Sequence, residues 1–381
     1  MEENLRLNFT ESNNFLTLGV EIELQVMEKS TNQLTPKAHD FIANIDNPKL
    51  TKELFQSMLE IITGICTNAH EAYIDLDNSL KQVDEYASDH ALSLCSTGSH
   101  PTANYNDRII TESKRYHELI DRNQWLSRRT SVYGLHVHVG MRNGDECIDF
   151  SNFFVRQLPI LLALSASSPY WIGKDSGLAS TRPTVYEAIP TCGLPYFFKN
   201  WEAFNKRYQD LIRVQSIKSM KDLWWDLRPS PGHGTLEIRI CDGPATLKEM
   251  KALVAMIHAM ANWYSDNKAE FNSTYGTIPE RWILRENKWR AIRHGLEAQF
   301  IDESTISNLP ARTVAYNWLE KLTPYFKNFE YNDCEEIIVN LLQKGNSTSR
   351  QRKVYERSGD LEEVVRHNIS EHLSRQPIWI S

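Results

Sequence analysis

Three short stretches, Leu18 to Gln25, Tyr133 to Val139 and Gly234 to Ile240, alternate apolar and polar residues with period two. Successive side chains of a strand point to opposite faces. The pattern therefore predicts three strands with Val20, Ile22 and Leu24, then Leu135, Val137 and Val139, then Leu236, Ile238 and Ile240 on one side. The other side carries Glu21 and Glu23, His136 and His138, and Glu237 and Arg239. Ala72, Leu76, Leu80, Val83 and Ala87 recur at helical spacing and predict a helix from about Ala69 to Leu92. Residues 149 to 166 read as one buried helix. From Gly173 to Pro195 the pattern is broken by Gly177, Pro183, Pro190, Gly193 and Pro195 into a long loop. After Cys241 helical patterns take over: Leu247 to Trp263, Pro279 to Arg293, Pro310 to Leu322, Asp333 to Leu342 and Leu361 to Leu373. The chain reads as α+β, with a sheet-rich part over 15–241 and a mostly helical buttress over 242–381.

A length of 381 residues allows two or three domains, but with no repeat, low-complexity stretch or Gly/Ser linker the expectation is a single catalytic domain over 1–381. The net charge of -7, from 49 acidic and 42 basic residues, argues against a broad phosphate-neutralising surface, so nucleic acid is not expected as a partner. Glu2 and Glu3 stand where a signal peptide needs positive charge, and the apolar run Leu158 to Ala166 is too short to span a bilayer and contains Pro159. A cytoplasmic protein without membrane contact is expected. The six cysteines, at 66, 95, 147, 192, 241 and 334, form no Cys-x-x-Cys pair and read as reduced thiols rather than as zinc ligands.

The charged strand faces carry the candidate chemistry. Glu21 and Glu23 repel each other unless cations hold them, and a hard divalent ion with oxygen ligands is the natural partner; a solvated edge-strand face would show the same pattern. The imidazoles of His136 and His138 project together, as metal or phosphate ligands do, and as structural histidines also do. Glu237 and Arg239 could be a plain salt bridge. Glu53 and Glu60 are seven apart, which puts them on one face of a helix but on opposite faces of an unbroken strand; the sequence leaves both geometries open. Together these segments describe a sheet whose polar face lines a cavity. Five glutamates beside two histidines call for two or three Mg2+ or Mn2+ ions, and such oxygen-rich sites go with nucleotide phosphates.

In this order, LGVEIELQ, ELFQSMLEIITG, GSHP, GLHVHVG, STRPTVYEAIPTCGLP, WWDLRPSPGHGTLEIRICD and ENKWRAIRHGLEAQFID resemble the carboxylate-amine ligase subgroup of the glutamate-cysteine ligase type 2 family, over roughly residues 15 to 325. The resemblance implies a glutamine synthetase/guanido kinase-like fold, a curved, mainly antiparallel sheet forming a funnel-shaped active site with helices outside. It also implies an ATP-dependent ligase: a carboxylate, from glutamate or a similar substrate, attacks the γ-phosphate of ATP, and an amine displaces phosphate from the acyl phosphate. Glu21, Glu23, Glu53, Glu60 and Glu237 match the family's metal-binding carboxylates and His136 its metal-binding histidine. His138 is the candidate beside the nucleotide phosphates. Arg239, with Glu237, is the catalytic candidate that would neutralise the phosphoryl group in flight. Arg182 and Arg228 are the candidates for substrate carboxylate or phosphate contacts. A homodimer is compatible with the resemblance. Two rival classes fit the same residues, a two-metal amide hydrolase and a non-catalytic nucleotide sensor.

Overall fold

The computed structural model describes residues 6–11, 13–276, 278 and 280–380; Glu2, Glu3 and Pro279 lie outside them. Seven strands form one antiparallel sheet: β1 (Leu18–Glu28), β2 (Leu50–Lys52), β3 (Met58–Ile62), β4 (Leu92–Cys95), β5 (Leu135–Gly140), β6 (Leu227–Ser230) and β7 (Thr235–Ile238). Their order is β6-β7-β5-β1-β3-β2, and β4 also pairs with β1. At 11 residues β1 is long enough to serve two neighbours along one edge, β5 against Leu18 to Ile22 and β4 against Gln25 to Glu28. Its other edge takes β3.

The alternation read from the sequence sorts the two faces. Val20, Ile22 and Leu24, Leu135, Val137 and Val139, and Leu236, Ile238 and Ile240 all enter one apolar cluster. The helices Ala69–Asp89 and Leu247–Tyr275 bring Leu76, Leu80 and Val83, and Met250, Leu253 and Ile257, into the same cluster. Asn68 caps the first helix by accepting from the N–H groups of His70 and Glu71, and Thr246 caps the second by accepting from Glu249. The cluster continues through Trp318 and Leu342. One large core thus joins the strands to the late helices.

Several elements differ from expectation. The helix expected over 149 to 166 is two, Gly144–Phe154 and Leu158–Ser165, bent by 63° at the break. Pro159 sits in the first turn of the second, where its missing N–H costs nothing. The long loop from Gly173 holds a short helix, Arg182–Tyr186, and Cys192–Gly193 pairs in parallel with Trp224–Trp225. The helix from Leu247 runs on past Trp263, kinks at Asn267, whose φ -116° and ψ 15° are not helical, and continues to Tyr275, where Gly276 at φ 70° ends it. The helix expected from Pro279 is seen over Arg281–His294. A helix over Ser347–Ser358 was not expected; with few apolar residues it shows no hydrophobic period, and it buries Arg350 and Gln351 instead. Among the described residues no single helix is long and apolar enough to cross a membrane.

Candidate active site

The polar face of the sheet lines a cavity of about 680 Å3. Strand register brings the expected residues into it from five strands. Glu21 on β1 lies opposite His136 on β5, Glu23 opposite Glu60 on β3, and Glu237 on β7 opposite both His138 and Arg228. Neither of the two geometries considered for Glu53 and Glu60 is present: β2 and β3 form a hairpin, and the chain reverses between them. The Phe55 carbonyl accepts from the Met58 N–H, and Phe55 bridges to Ile110, which together fold the turn. Glu53 leaves the end of β2 and so faces the same cavity as Glu60.

Ligand-type oxygens and nitrogens then gather in three sets, each within 4.8 Å: Glu21, Glu60 and His136; Glu23, Glu53 and Glu60; and Glu21, His138 and Glu237. Glu21 and Glu60 each belong to two sets. Glu21 also ties the histidines together, with Nδ1 of His136 at 2.9 Å and Nε2 of His138 at 3.1 Å. His138 turns its Nδ1 to Thr235 Oγ1 at 2.8 Å. Nε2 of His136 is buried and has no hydrogen-bond partner. An orphaned imidazole nitrogen among carboxylate oxygens fits a hard divalent cation, as Mg2+ or Mn2+ would be.

The electrostatics fall into two halves. On the β3 side burial and neighbouring carboxylates act together: Glu23 is pushed up to about 7 by burial and by Glu53, and Glu60 well above its ordinary value by burial and by Glu53, Glu21 and Glu23. Burial also raises Glu53, against the pull of a hydrogen bond from the Leu54 N–H. On the β7 side burial is overcome. Hydrogen bonds from His136 and His138 hold Glu21 far below the carboxylate range, and Arg228 and Arg239 do the same for Glu237. His136 is lowered to about 4 by burial and by Arg239. His138 is raised despite burial, because of Glu21 and Glu237.

The arginines divide by what they touch. Arg239 gives Nη1 to Glu237, and its backbone N–H is held by the Asp226 carbonyl at 2.8 Å. Arg228 has all three nitrogens engaged, two on Glu237 and one on the Leu223 carbonyl. Arg182, the other candidate for substrate carboxylate or phosphate contacts, is buried and donates to the carbonyls of Arg239 at 3.1 Å and Ile240 at 3.3 Å. Gly134 permits this approach: a Cβ there would lie 2.3 Å from Nη2 of Arg182, and its N–H donates to Glu23. Gly140 is as tight, with a Cβ 1.8 Å from the Asn14 carbonyl.

Sequence reasoning missed a support behind these arginines. Lys288, inside the ENKWRAIRHG stretch, is buried and reaches Asp226 at 2.5 Å and also Glu187. The other oxygen of Asp226 accepts from the Tyr186 hydroxyl at 2.9 Å, and the Tyr186 ring lies 5.2 Å from the Arg182 guanidinium. The available signal was a lysine at a helical position facing inward beside Leu284 and Ala291. The Gly-Ser-His-Pro turn does not reach the cavity: Ser99 donates to the Tyr170 carbonyl at 2.8 Å, and His100 lies 2.8 Å from the Asn32 carbonyl.

Residues 17–367 match the model of glutamate-cysteine ligase family 2. A protein of Bdellovibrio bacteriovorus named as a provisional glutamate–cysteine ligase 2 is 41% identical over 351 residues, 92% of each chain. One of the same name from Gloeobacter violaceus is 37% identical over 354 residues, covering 92% of this chain and 95% of its own. The crystal structure of a glutamate–cysteine ligase of Francisella tularensis in complex with AMP superposes with a TM-score of 0.69 at 14% identity, over 95% of this chain and 90% of that one. Half of a bifunctional glutathione synthetase of Pasteurella multocida does so with 0.64 at 14% identity, 94% of this chain against 52% of that one. At those identities the likeness is one of fold, a mixed helical and antiparallel-sheet architecture.

Proposed function

Since the chain belongs to glutamate-cysteine ligase family 2 and is thereby an ATP-dependent carbon–nitrogen ligase, we propose that it activates the γ-carboxylate of glutamate, or a similar carboxylate, as an acyl phosphate and passes the acyl group to an amine. A carboxylate oxygen attacks the γ-phosphorus of ATP and ADP leaves. The amine nitrogen then attacks the acyl carbon, phosphate leaves, and the proton from nitrogen passes to solvent or to the departing phosphate. The observation that carries this reading is the gathering of Glu21, Glu23, Glu53, Glu60, Glu237, His136 and His138 around one cavity in three ligand-like sets.

Those three sets would hold Mg2+ or Mn2+. Bound there, the ions neutralise nucleotide phosphate and carboxylates together. His138 is shared between a metal-type set and the nucleotide side, because Thr235 fixes its Nδ1 and leaves Nε2 toward Glu21 and Glu237. Arg239 keeps nitrogens beyond the one on Glu237, and a preorganised guanidinium at that place stabilises the phosphoryl group as it transfers. Arg228 orients Glu237, and Arg182 bolts the Arg239 carbonyl in place. No step asks for a protein nucleophile; burial raises the thiols of Cys95 and Cys241 to about 12, far from a reactive thiolate.

In this reading the chain is cytosolic and acts as one catalytic unit, the unity supported by the large apolar cluster that runs from Leu18 to Leu342. Its test is isotopic. With glutamate labelled by 18O in the γ-carboxylate, ATP and an accepted amine, one 18O should appear in inorganic phosphate for each amide formed. Unlabelled phosphate alongside amide would exclude the acyl phosphate.

A further inference from the structure

Arg182 clamps the Arg239 carbonyl, so the groups that hold Arg182 also set where the Arg239 guanidinium stands. Arg182 is held at both of its ends. Its Nη1 donates to the carbonyls of Arg239 and Ile240, and its backbone N–H donates to Ser168 Oγ at 3.2 Å. The Thr181 N–H donates to the same oxygen at 2.9 Å, and the Ser168 hydroxyl donates in turn to Oδ2 of Asp242 at 2.7 Å. Asp242 lies on the stretch that runs on from Arg239, where it bridges Gly134 in antiparallel fashion. A closed circuit results: from Asp242 through Ser168 to the Arg182 amide, through the guanidinium to the Arg239 carbonyl, and back along the chain to Asp242.

Asp242 is completely buried and does not line the cavity. Three donors converge on it: the Ser167 N–H at 3.0 Å and the Ser168 hydroxyl on Oδ2, and the Ser180 hydroxyl at 2.8 Å on Oδ1. An ionised carboxylate, which only accepts, satisfies all three, and its charge answers that of the buried Arg182. The segments it joins are anchored from behind by the helix Ser347–Ser358, through Gln351 Nε2 to the Ser167 carbonyl at 2.8 Å and through Thr348 Oγ1 to the Ala179 carbonyl. Burying a carboxylate this deeply costs stability unless it is fully bonded, and here the bonds lead to the segments that seat Arg182.

We propose that Asp242 is a positioning residue for the ligase reaction: through Ser168 and Arg182 it fixes the place of the Arg239 guanidinium, and it touches neither nucleotide nor acyl donor itself. The proposal rests on the role given to Arg239 above and deepens it. A guanidinium stabilises a transferring phosphoryl group best where it stands in advance. Arg239 sits just past Ile238, the last residue of β7, with its N–H on the Asp226 carbonyl and its own carbonyl on Arg182. Opening the circuit would let that backbone shift without removing any group from the cavity, so turnover should suffer and nucleotide binding should not.

Three variants separate this role from a general need for the fold. ADP release per folded molecule is followed with Mg-ATP, hydroxylamine as the amine and the best used of a panel of carboxylates, with calorimetric binding of Mg-ATP alongside. Asp242→Ala should lower kcat about 10- to 100-fold, the scale of a displacement of about 1 Å, with the Kd of Mg-ATP little changed. Asp242→Asn should restore most of the loss, because its carbonyl can serve Ser167 and Ser168 while the Ser180 hydroxyl turns to accept from its amide. Ser168→Ala keeps the charge of Asp242 and breaks the circuit at the Arg182 amide, and its kcat should fall between those two. In an Arg239→Lys background the further effect of Asp242→Ala on kcat should nearly vanish, since residues that act as one unit are not additive. Should Asp242→Ala not fold, Ser168→Ala carries the same comparison. An unchanged kcat per folded molecule, no rescue by Asp242→Asn, or an equal loss in the Arg239→Lys background would make Asp242 a structural anchor and overturn the proposal, with the ligase reading intact. A wild-type chain that releases no ADP from any carboxylate would overturn the ligase reading and this one with it.

Discussion

In the helical part Arg350 lies between Glu249 and Glu371, 2.9 Å from one and 2.5 Å from the other, and all three are buried. On the polar side of the sheet Glu23 and Glu60 are buried with the half-buried Glu53 against them, yet among the described residues no guanidinium forms an ion pair with their oxygens; they border the cavity instead. Both clusters are made of the same residue types. The first is answered from within by Arg350, which holds Glu371 below its ordinary value although burial still raises Glu249. The second leaves Glu23 and Glu60 raised. A protein has little to gain in stability from unanswered buried charge, and the cation binding proposed for the second cluster would account for the contrast.

The largest effect should come from opening the closed cluster. Arg350→Ala strands two buried carboxylates and should cost about 3–5 kcal/mol of folding stability, read from urea unfolding with Mg2+ absent. A cost near that of a surface substitution would make the helical cluster no different from the site. Next in size is Arg239→Lys, which keeps the charge and loses the planar fork. Turnover should fall about 100-fold, the scale of losing a preorganised donor, while ATP affinity measured by calorimetry changes little. An equal loss of ATP affinity would place Arg239 in the ground state of the nucleotide site.

Within the open cluster the two glutamates of β1 should behave differently although they are two residues apart. Glu21 is ionised by His136 and His138, so Glu21→Gln removes a wanted charge and should lower the melting temperature of the metal-free protein. Glu23 is an unwanted charge there, and Glu23→Gln should raise it by roughly 2 °C while abolishing ligation. Identical shifts in the two variants would show that the halves of the site are electrostatically alike.

How much of this was legible follows from which signals are local. Period-two alternation depends on one face being buried, so β1, β5 and β7, with Glu21, Glu23, His136, His138 and Glu237, could be read from short stretches. The Glu53 to Glu60 hairpin could not: Glu53-Leu-Phe-Gln-Ser-Met has no Gly, Pro or Asn to announce a turn, and the reversal is imposed by Phe55 bridging Ile110 from 55 residues away. The commitments of Arg182 to the carbonyls of 239 and 240, and of Lys288 to Asp226, span 57, 58 and 62 positions and carry no spacing rule. The Arg350 cluster is assembled from positions 249, 350 and 371, one of them on a helix whose polar sequence hid it. Sequence pattern showed which groups face the cavity, and the fold alone showed which of them remain free to act.

The smallest effect, and the one that isolates the comparison without any substitution, is the pH dependence of metal-free stability. A carboxyl whose folded-state value is raised favours the folded state only while it stays protonated. Its contribution is complete below the unfolded value of 4.5 and is lost as pH rises through the folded value, which for Glu23 is about 7. Glu60 and Glu53, raised in the same direction, add to the same trend. In the closed cluster Glu371 is lowered and ionises below that window, so only Glu249, raised by burial, shares the trend there. His100, His136 and His258, lowered to about 4 by burial, add stability as pH rises to 6.5 and oppose this trend below that point. In the presence of a chelator the melting temperature should therefore decline from pH 6.5 to pH 8, and Mg2+ should add little at pH 5 and progressively more toward pH 8, because the cation binds the ionised set. Calorimetric melting with and without Mg2+ across that range measures both slopes. A metal-free stability that is flat or rises from pH 6.5 to pH 8, with a Mg2+ increment independent of pH, would mean that the open cluster carries its charge as comfortably as the closed one.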